Sequence, residues 1–177
     1  PPRLDGHWAY RSLQRTTVPP CDNPNARIPI DHFIEAKLQS ADKSLGPIAD
    51  SQTLTRRLYL SITGILPEES DLNSGPQMTA DEADRLIEQL LGSTRFGEHW
   101  AQYWLDLARY ADSNGYEEDE IRPQAYVYRD FVIWALNHNL PWDQFLRWQI
   151  AGDELQYENP MAVAATGFLT AAPYNTF

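Results

Sequence analysis

Apolar positions recur three and four residues apart along most of this chain and nowhere alternate over a useful length, so the pattern is helical throughout. Pro29 suits a first helical turn, and Ile30, Phe33, Ile34 and Leu38 follow it at helical spacing. Asp50 or Ser51 can cap a second helix with an apolar face of Leu54, Leu58 and Ile62, closed at Gly64. A loop rich in Pro, Ser, Asn and Gly runs from Ile65 to Met78. Thr79 with Glu82 then makes a capping box for a helix carrying Ala83, Leu86, Ile87, Leu90 and Leu91, which stops at Gly92. The next helix starts at Thr94, with Trp100, Trp104, Leu107, Ala108 and Ala111 as its expected core stripe. Pro123 opens a helix facing Val127, Phe131, Trp134 and Ala135 inward, and Pro141 a shorter one with Phe145, Trp148 and Gln149, ended near Gly152. The apolar segment Met161 to Ala172 is expected to be helical and to pack on something outside this chain.

Before these helices, residues 1–29 hold six prolines, each lacking an amide donor and fixing its own φ. That arm is expected to be extended and irregular, with room for short strands, and His7-Trp8-Ala9-Tyr10 to anchor it. The fold predicted is therefore all-α: a Pro-rich N-terminal arm, 1–29, wrapped on a body of about six or seven helices, 30–177, as a single domain. The abrupt start and the apolar end give the chain the character of a fragment of a larger multidomain protein, and no signal peptide lies in this segment.

Charge narrows the partners. Fourteen Lys and Arg against 25 Asp and Glu give a net charge of −11, which repels nucleic-acid phosphates and anionic membrane surfaces. No apolar run approaches the roughly 20 residues that span a bilayer. The lone Cys21 excludes an internal disulfide, a Cys-x-x-Cys zinc site and the attachment motif of c-type haem. His7, His32, His99 and His138 show no zinc-type pairing, and neither a nucleophile elbow nor a glycine-rich phosphate loop occurs.

Candidate chemistry gathers between Trp100 and Asp130. Asp106, Arg109 and Tyr110 are spaced as neighbours on one helical surface, where Asp106 and Arg109 can pair, either as structural glue or as a carboxylate held for proton transfer or sugar hydroxyls. The loop Asp112 to Glu120, which includes Tyr116, is acidic but its spacing does not fit an EF-hand. No metal is expected there, and Gly115 suits a left-handed turn. Arg122, Tyr126, Tyr128, Arg129 and Asp130 form a second polar cluster, whose arginines either bind an anion or neutralise the acidic loop. Asp153 points to the same region or caps the next turn.

The runs Y-W-L-D-L-A-R-Y-A-D-S-N-G-Y-E (Tyr103 to Glu117), R-P-Q-A-Y-V-Y-R-D-F-V (Arg122 to Val132) and Q-I-A-G-D (Gln149 to Asp153) resemble a planctomycete family. It is the secreted cytochrome-associated domain called domain of unknown function fifteen-forty-nine. His7 to Tyr10, Pro29 to Ile34 and Leu54 to Leu60 extend the resemblance over nearly the whole chain. It implies a module of a large secreted or periplasmic haem-associated bacterial protein, with haem c only in a neighbouring domain and polysaccharide as the partner bound or acted on. The site then comprises Arg109, Tyr110, Asp112, Tyr116, Arg129 and Asp130 as ligand-binding residues. If the module is catalytic, Asp106 or Asp153 is the acid/base. The alternatives are a docking domain with no ligand of its own and, last, an aromatic relay for electrons from haem.

Overall fold

The computed structural model describes residues 7–72, 75–115 and 119–172, which fall into two compact units, Pro1–Ile48 and Ala49–Phe177. In the first, a 3₁₀ turn at Trp8–Tyr10 precedes irregular chain and then helix α1, Pro29–Gln39. Ile28 stands at the cap position without a polar side chain. Asp31 Oδ2 does the capping, accepting from the Arg27 and Ile28 amides at 2.8 and 3.1 Å. Along the apolar stripe Ile30, Phe33 and Ile34 are exposed and Leu38 is half-buried, and the buried residue of α1 is Glu35. The Leu45 amide, donating at 2.7 Å, is the main reason its carboxyl sits below the usual range, helped by Asn23 and Gln39 against desolvation.

The second unit carries six helices: α2 Ser51–Thr63, α3 Ala80–Leu91, α4 Thr94–Leu107, α5 Ala125–Asn137, α6 Trp142–Leu155 and α7 Pro160–Ala165, the last continuing as a 3₁₀ turn, Thr166–Thr170. Among the described residues there is no strand, only an isolated bridge between Ser113 and Ile121, so the all-α expectation holds with seven helices. Polar helix starts lie where the sequence places them: the Asp50 side chain accepts from Thr53 N at 2.9 Å, and Thr79 and Glu82 close their box at 2.8 and 3.3 Å. Gly64, at φ 72°, ends α2 in the left-handed region.

The buried faces correct the sequence reading. On α2 the buried stripe is Ser51, Thr55, Tyr59 and Thr63, with Leu54, Leu58 and Ile62 only half-buried. On α4 it is Gly97 and Ala101, continued at Ala108, while Trp100 and Leu107 face outward. Close approach explains the shift. α4 packs most extensively on α5, and small residues let the two backbones near each other. The Asn137 side chain of α5 sits against Gly97, accepting from its amide at 2.8 Å and donating to Thr94 O at 3.1 Å. A Cβ at residue 97 would meet Asn137 Cγ at 2.6 Å.

Segment Met161 to Ala172 also differs from expectation, because it packs within its own unit: Ala162, Ala165 and Ala171 are buried in the core around Phe131, Val132 and Trp148. α6 kinks at Ala151 (φ −151°, ψ 33°), and the next residue, Gly152, lies against the Ala162 carbonyl of α7. A methyl group at 152 would collide with that backbone oxygen. Gly152→Ala is accordingly expected to cost about 1–3 kcal/mol in denaturant unfolding. Gly46→Ala, where the space is open, should stay within about 0.5 kcal/mol. Equal effects would contradict the α6–α7 contact.

Candidate functional site

Three helices meet at a buried polar triad. Trp104 of α4 has one indole N–H, and it points at both Tyr128 Oη of α5 and Gln149 Oε1 of α6, each at 2.9 Å. The Tyr128 hydroxyl donates to the same amide oxygen at 2.7 Å, and Gln149 Nε2 donates to Phe145 O at 3.0 Å. Gln149 is 2% exposed and Tyr128 3%. Packed aromatics hold the triad in place, with Trp104 and Phe145 ring centroids 5.0 Å apart and edge-on, and Phe131 stacked on Phe145 at 5.7 Å. Burial raises the Tyr128 phenol to about 12, with the Trp104 hydrogen bond opposing it.

The far side of Tyr128 forms one wall of a groove of about 780 Å³. Val127 and Tyr128 of α5, Val163 and Ala164 of α7, Gly167 and Ala171 contribute mainly apolar surface, with Tyr110 and Tyr157 adding rings. Gly167 is required by this packing: a Cβ there would lie 2.7 Å from Tyr128 Cβ. Polar groups are few, namely Arg122, Gln124, Glu158 and Thr170. Volume and lining are those of a small-ligand site.

Four predicted site residues gather beside this groove. Tyr110 lines it, and its hydroxyl donates to Asp112 Oδ1 at 2.6 Å. Desolvation first, then the Asp112 bond and charge, raise the Tyr110 phenol to about 12, with Arg129 pulling it down and Asp130 pushing it up. Arg129 Nε and Nη2 both donate to Asp130 Oδ1, at 3.0 and 2.9 Å. The Asp130 hydrogen bond raises the guanidinium above its usual value, opposed by desolvation and aided by Asp130, Tyr110 and Asp112 charge. Tyr110, Asp112, Arg129 and Asp130 thus form one electrostatic group.

The remaining predicted residues lie elsewhere. α4 ends at Leu107, so Arg109 and Tyr110 do not share its surface with Asp106 as the spacing suggested. Arg109 N donates to Asp106 O at 3.2 Å and Tyr110 N to Leu105 O at 2.9 Å, the pair of bonds that closes a helix through a left-handed residue. That residue is Arg109 itself, at φ 57°. The turn carries its side chain off the helix, and among the described residues Asp106 and Arg109 form no ion pair. Asp106 and Asp153 are both exposed and neither lines the groove. Asp153 Oδ1 accepts from Glu154 N at 3.1 Å. Tyr116 lies outside the described residues.

Arg122 is engaged within the fold. Its Nε donates to Asn114 Oδ1 at 2.7 Å, and its Nη atoms donate to the carbonyls of Thr170, Ala171 and Ala172 at 2.8–2.9 Å. The guanidinium therefore caps the carbonyl end of the 3₁₀ turn after α7. The acidic loop is tied by its own groups: Asn114 N to Glu120 O, Arg122 N to Asp112 O, and Gly115 N to the Asp119 carboxylate. Ser113 and Gly115 hold the Asp119 carboxyl below its ordinary value. Gly115 is left-handed as expected, at φ 71°. Among the described residues no group of three or more His, Cys, Asp or Glu is placed to hold a metal ion, and no helix is long and apolar enough to cross a membrane.

Sequence reasoning missed the triad and the α7 wall. The available signal was an amide, Gln149, on the same helical face as Phe145, since a buried polar side chain requires partners. What the sequence does not show is that the partners come from two other helices.

The chain matches the family PSCyt2, described as a protein of unknown function (DUF1549), over residues 29–176, and it belongs to that family. No curated protein and no solved structure matches it.

Tyr128→Phe leaves the buried Gln149 oxygen with the indole N–H alone and should cost about 1–3 kcal/mol of stability. An unfolded tyrosine ionises near 10, whereas Tyr128 and Tyr110 stay neutral in the fold up to about 12. The folded state therefore holds protons that the unfolded chain has lost. The stabilisation is complete below pH 10 and disappears between about pH 10 and 12. Urea melts across that window should show the fall in wild type and a shallower one in Tyr128→Phe; identical slopes would contradict the burial.

Proposed function

For this member of the DUF1549 family we propose a binding role: the groove between α5 and α7 receives a stretch of polysaccharide. One observation carries the reading, a groove of about 780 Å³ walled by apolar side chains and tyrosine rings, with a small polar group at its side. Sugar rings present apolar C–H faces that lie flat on aromatic rings, and their hydroxyls need acceptors and donors at the edge. Tyr110 and Tyr157 supply rings, Glu158 and Gln124 supply the polar partners in the lining, and Asp112 stands behind them on the Tyr110 hydroxyl. Neither Asp106 nor Asp153 lines the groove, so the role assigned is binding and not turnover. Consistent with the resemblance noted in the sequence, the setting we assign is extracytoplasmic, with haem c confined to a neighbouring module.

A second reading rests on a different face. Trp100, Tyr103 and Leu107 form an exposed row along α4, with Phe96, His99, Trp100 and Tyr103 in mutual ring contact. Trp142, Leu146 and Ile150 form another row on α6, and Trp142 touches Trp104 edge-on at 5.3 Å. Exposed apolar surface of this extent marks interfaces. Its occupant in this reading is a neighbouring domain of the same protein.

Melting temperature measured against a panel of oligosaccharides separates the two. The groove reading expects a saturable upward shift, abolished by Tyr157→Ala, which removes an exposed ring, and reduced by Arg129→Ala. Leu107→Asp should leave that shift intact. No shift with any sugar, combined with loss of association to a neighbouring domain in Leu107→Asp, would replace binding by docking.

A further inference from the structure

Resting on the glycan reading, we infer that the groove selects polysaccharide without anionic substituents, amine-bearing sugars most strongly, and turns away sulfated or carboxylated ones. The selection follows from which charges beside the groove still have capacity. Among the described residues that line the groove the cation is Arg122, and its guanidinium is engaged. Arg122 directs four of its five N–H donors to Asn114 Oδ1 and the carbonyls of Thr170, Ala171 and Ala172. Releasing them would uncap the end of the 3₁₀ turn that forms part of the groove wall. Arg129 directs Nε and Nη2 to Asp130, so its charge is largely compensated by a neighbour in the chain.

The carboxylates are in the opposite condition. Asp112 uses only Oδ1, for the Tyr110 hydroxyl, and Glu158 only Oε1, for the Tyr157 hydroxyl at 3.1 Å. Each keeps a second oxygen that accepts no hydrogen bond among the described residues, and neither side chain is buried, whereas Asp130 is paired with Arg129. Ionised carboxylates accept and never donate, so they pair with hydroxyl and ammonium groups and repel sulfate. The chain as a whole adds to that field, at a net charge of −11. Gln124 offers a neutral amide that suits hydroxyl and N-acetyl groups equally.

Calorimetric titration at low and at moderate salt, with three chito-oligosaccharides of equal length, tests this: the free amine, the N-acetylated form and the 6-O-sulfated N-acetylated form. The expected order is amine, then N-acetyl, then sulfate, the sulfated form at least ten-fold weaker than the N-acetylated one. The amine preference should shrink as salt rises. Glu158→Gln with Asp112→Asn should bring the ratio of amine to N-acetyl affinity close to one, whatever the change in either affinity alone, and near-unchanged circular dichroism would show the fold intact. Tighter binding of the sulfated form overturns the selection rule while leaving the glycan reading standing. Absence of binding by all three overturns both.

Discussion

Three helices of the larger unit meet at one buried amide oxygen. Gln149 Oε1 receives hydrogen bonds from Trp104 and Tyr128, and so joins α4, α5 and α6 at a point from which water is excluded. A polar group buried in that way is stabilising only while it keeps its partners; losing one removes a hydrogen bond, and losing both exposes the full cost of desolvating it. The arrangement also fixes the groove. Tyr128 turns its hydroxyl to the triad while its Cβ and ring lie against Gly167 and the groove, so the core and the site share a side chain. Core packing and the shape of the groove are therefore coupled through a single residue.

Two arginines set turns next to the groove, Arg109 through its backbone and Arg122 through its side chain. Arg109 takes the left-handed position that closes α4, a conformation that Asp42 and Asn139 adopt elsewhere in the chain. Short polar residues tolerate that conformation; an arginine there carries a steric penalty on the order of 1–2 kcal/mol. The turn it makes directs the chain off the helix, and Tyr110 then meets Asp112. Arg122, by holding three successive carbonyls, keeps the 3₁₀ turn after α7 in place at the groove. In this chain a charge that looks ready for a ligand in the sequence is, in one case, part of the frame of the groove.

Local signals are legible in proportion to how local they are. Thr79 with Glu82, Asp50, Pro29 and the glycines at 64 and 115 act within four residues, and each can be read from residue type and spacing alone. Face assignment cannot, because it depends on which neighbour arrives. The spacing around Leu54 and Trp100 implies apolar stripes, yet α2 buries hydroxyls, and α4 buries Gly97 and Ala101 so that α5 can approach. The same limit applies to the site. Tyr110, Asp112, Arg129 and Asp130 are candidates by residue type and do come together. Asp106 and Arg109 would share a surface only if α4 continued past Leu107, and the helix ends there. Glu158, Val163 and Gly167 carry no sequence motif for binding; only the fold brings them to the groove beside Tyr128.

The central claim is that ligand occupies the groove beside Tyr128 and not the aromatic face of α4. Backbone amide chemical shifts, followed by NMR as a chitosan oligosaccharide is added, address it directly. The account predicts that the largest shifts cluster at Val127, Ala164, Gly167 and Ala171, with Tyr103 and Leu107 unmoved. Shifts confined to α4, around Trp100, Tyr103 and Leu107, would contradict it.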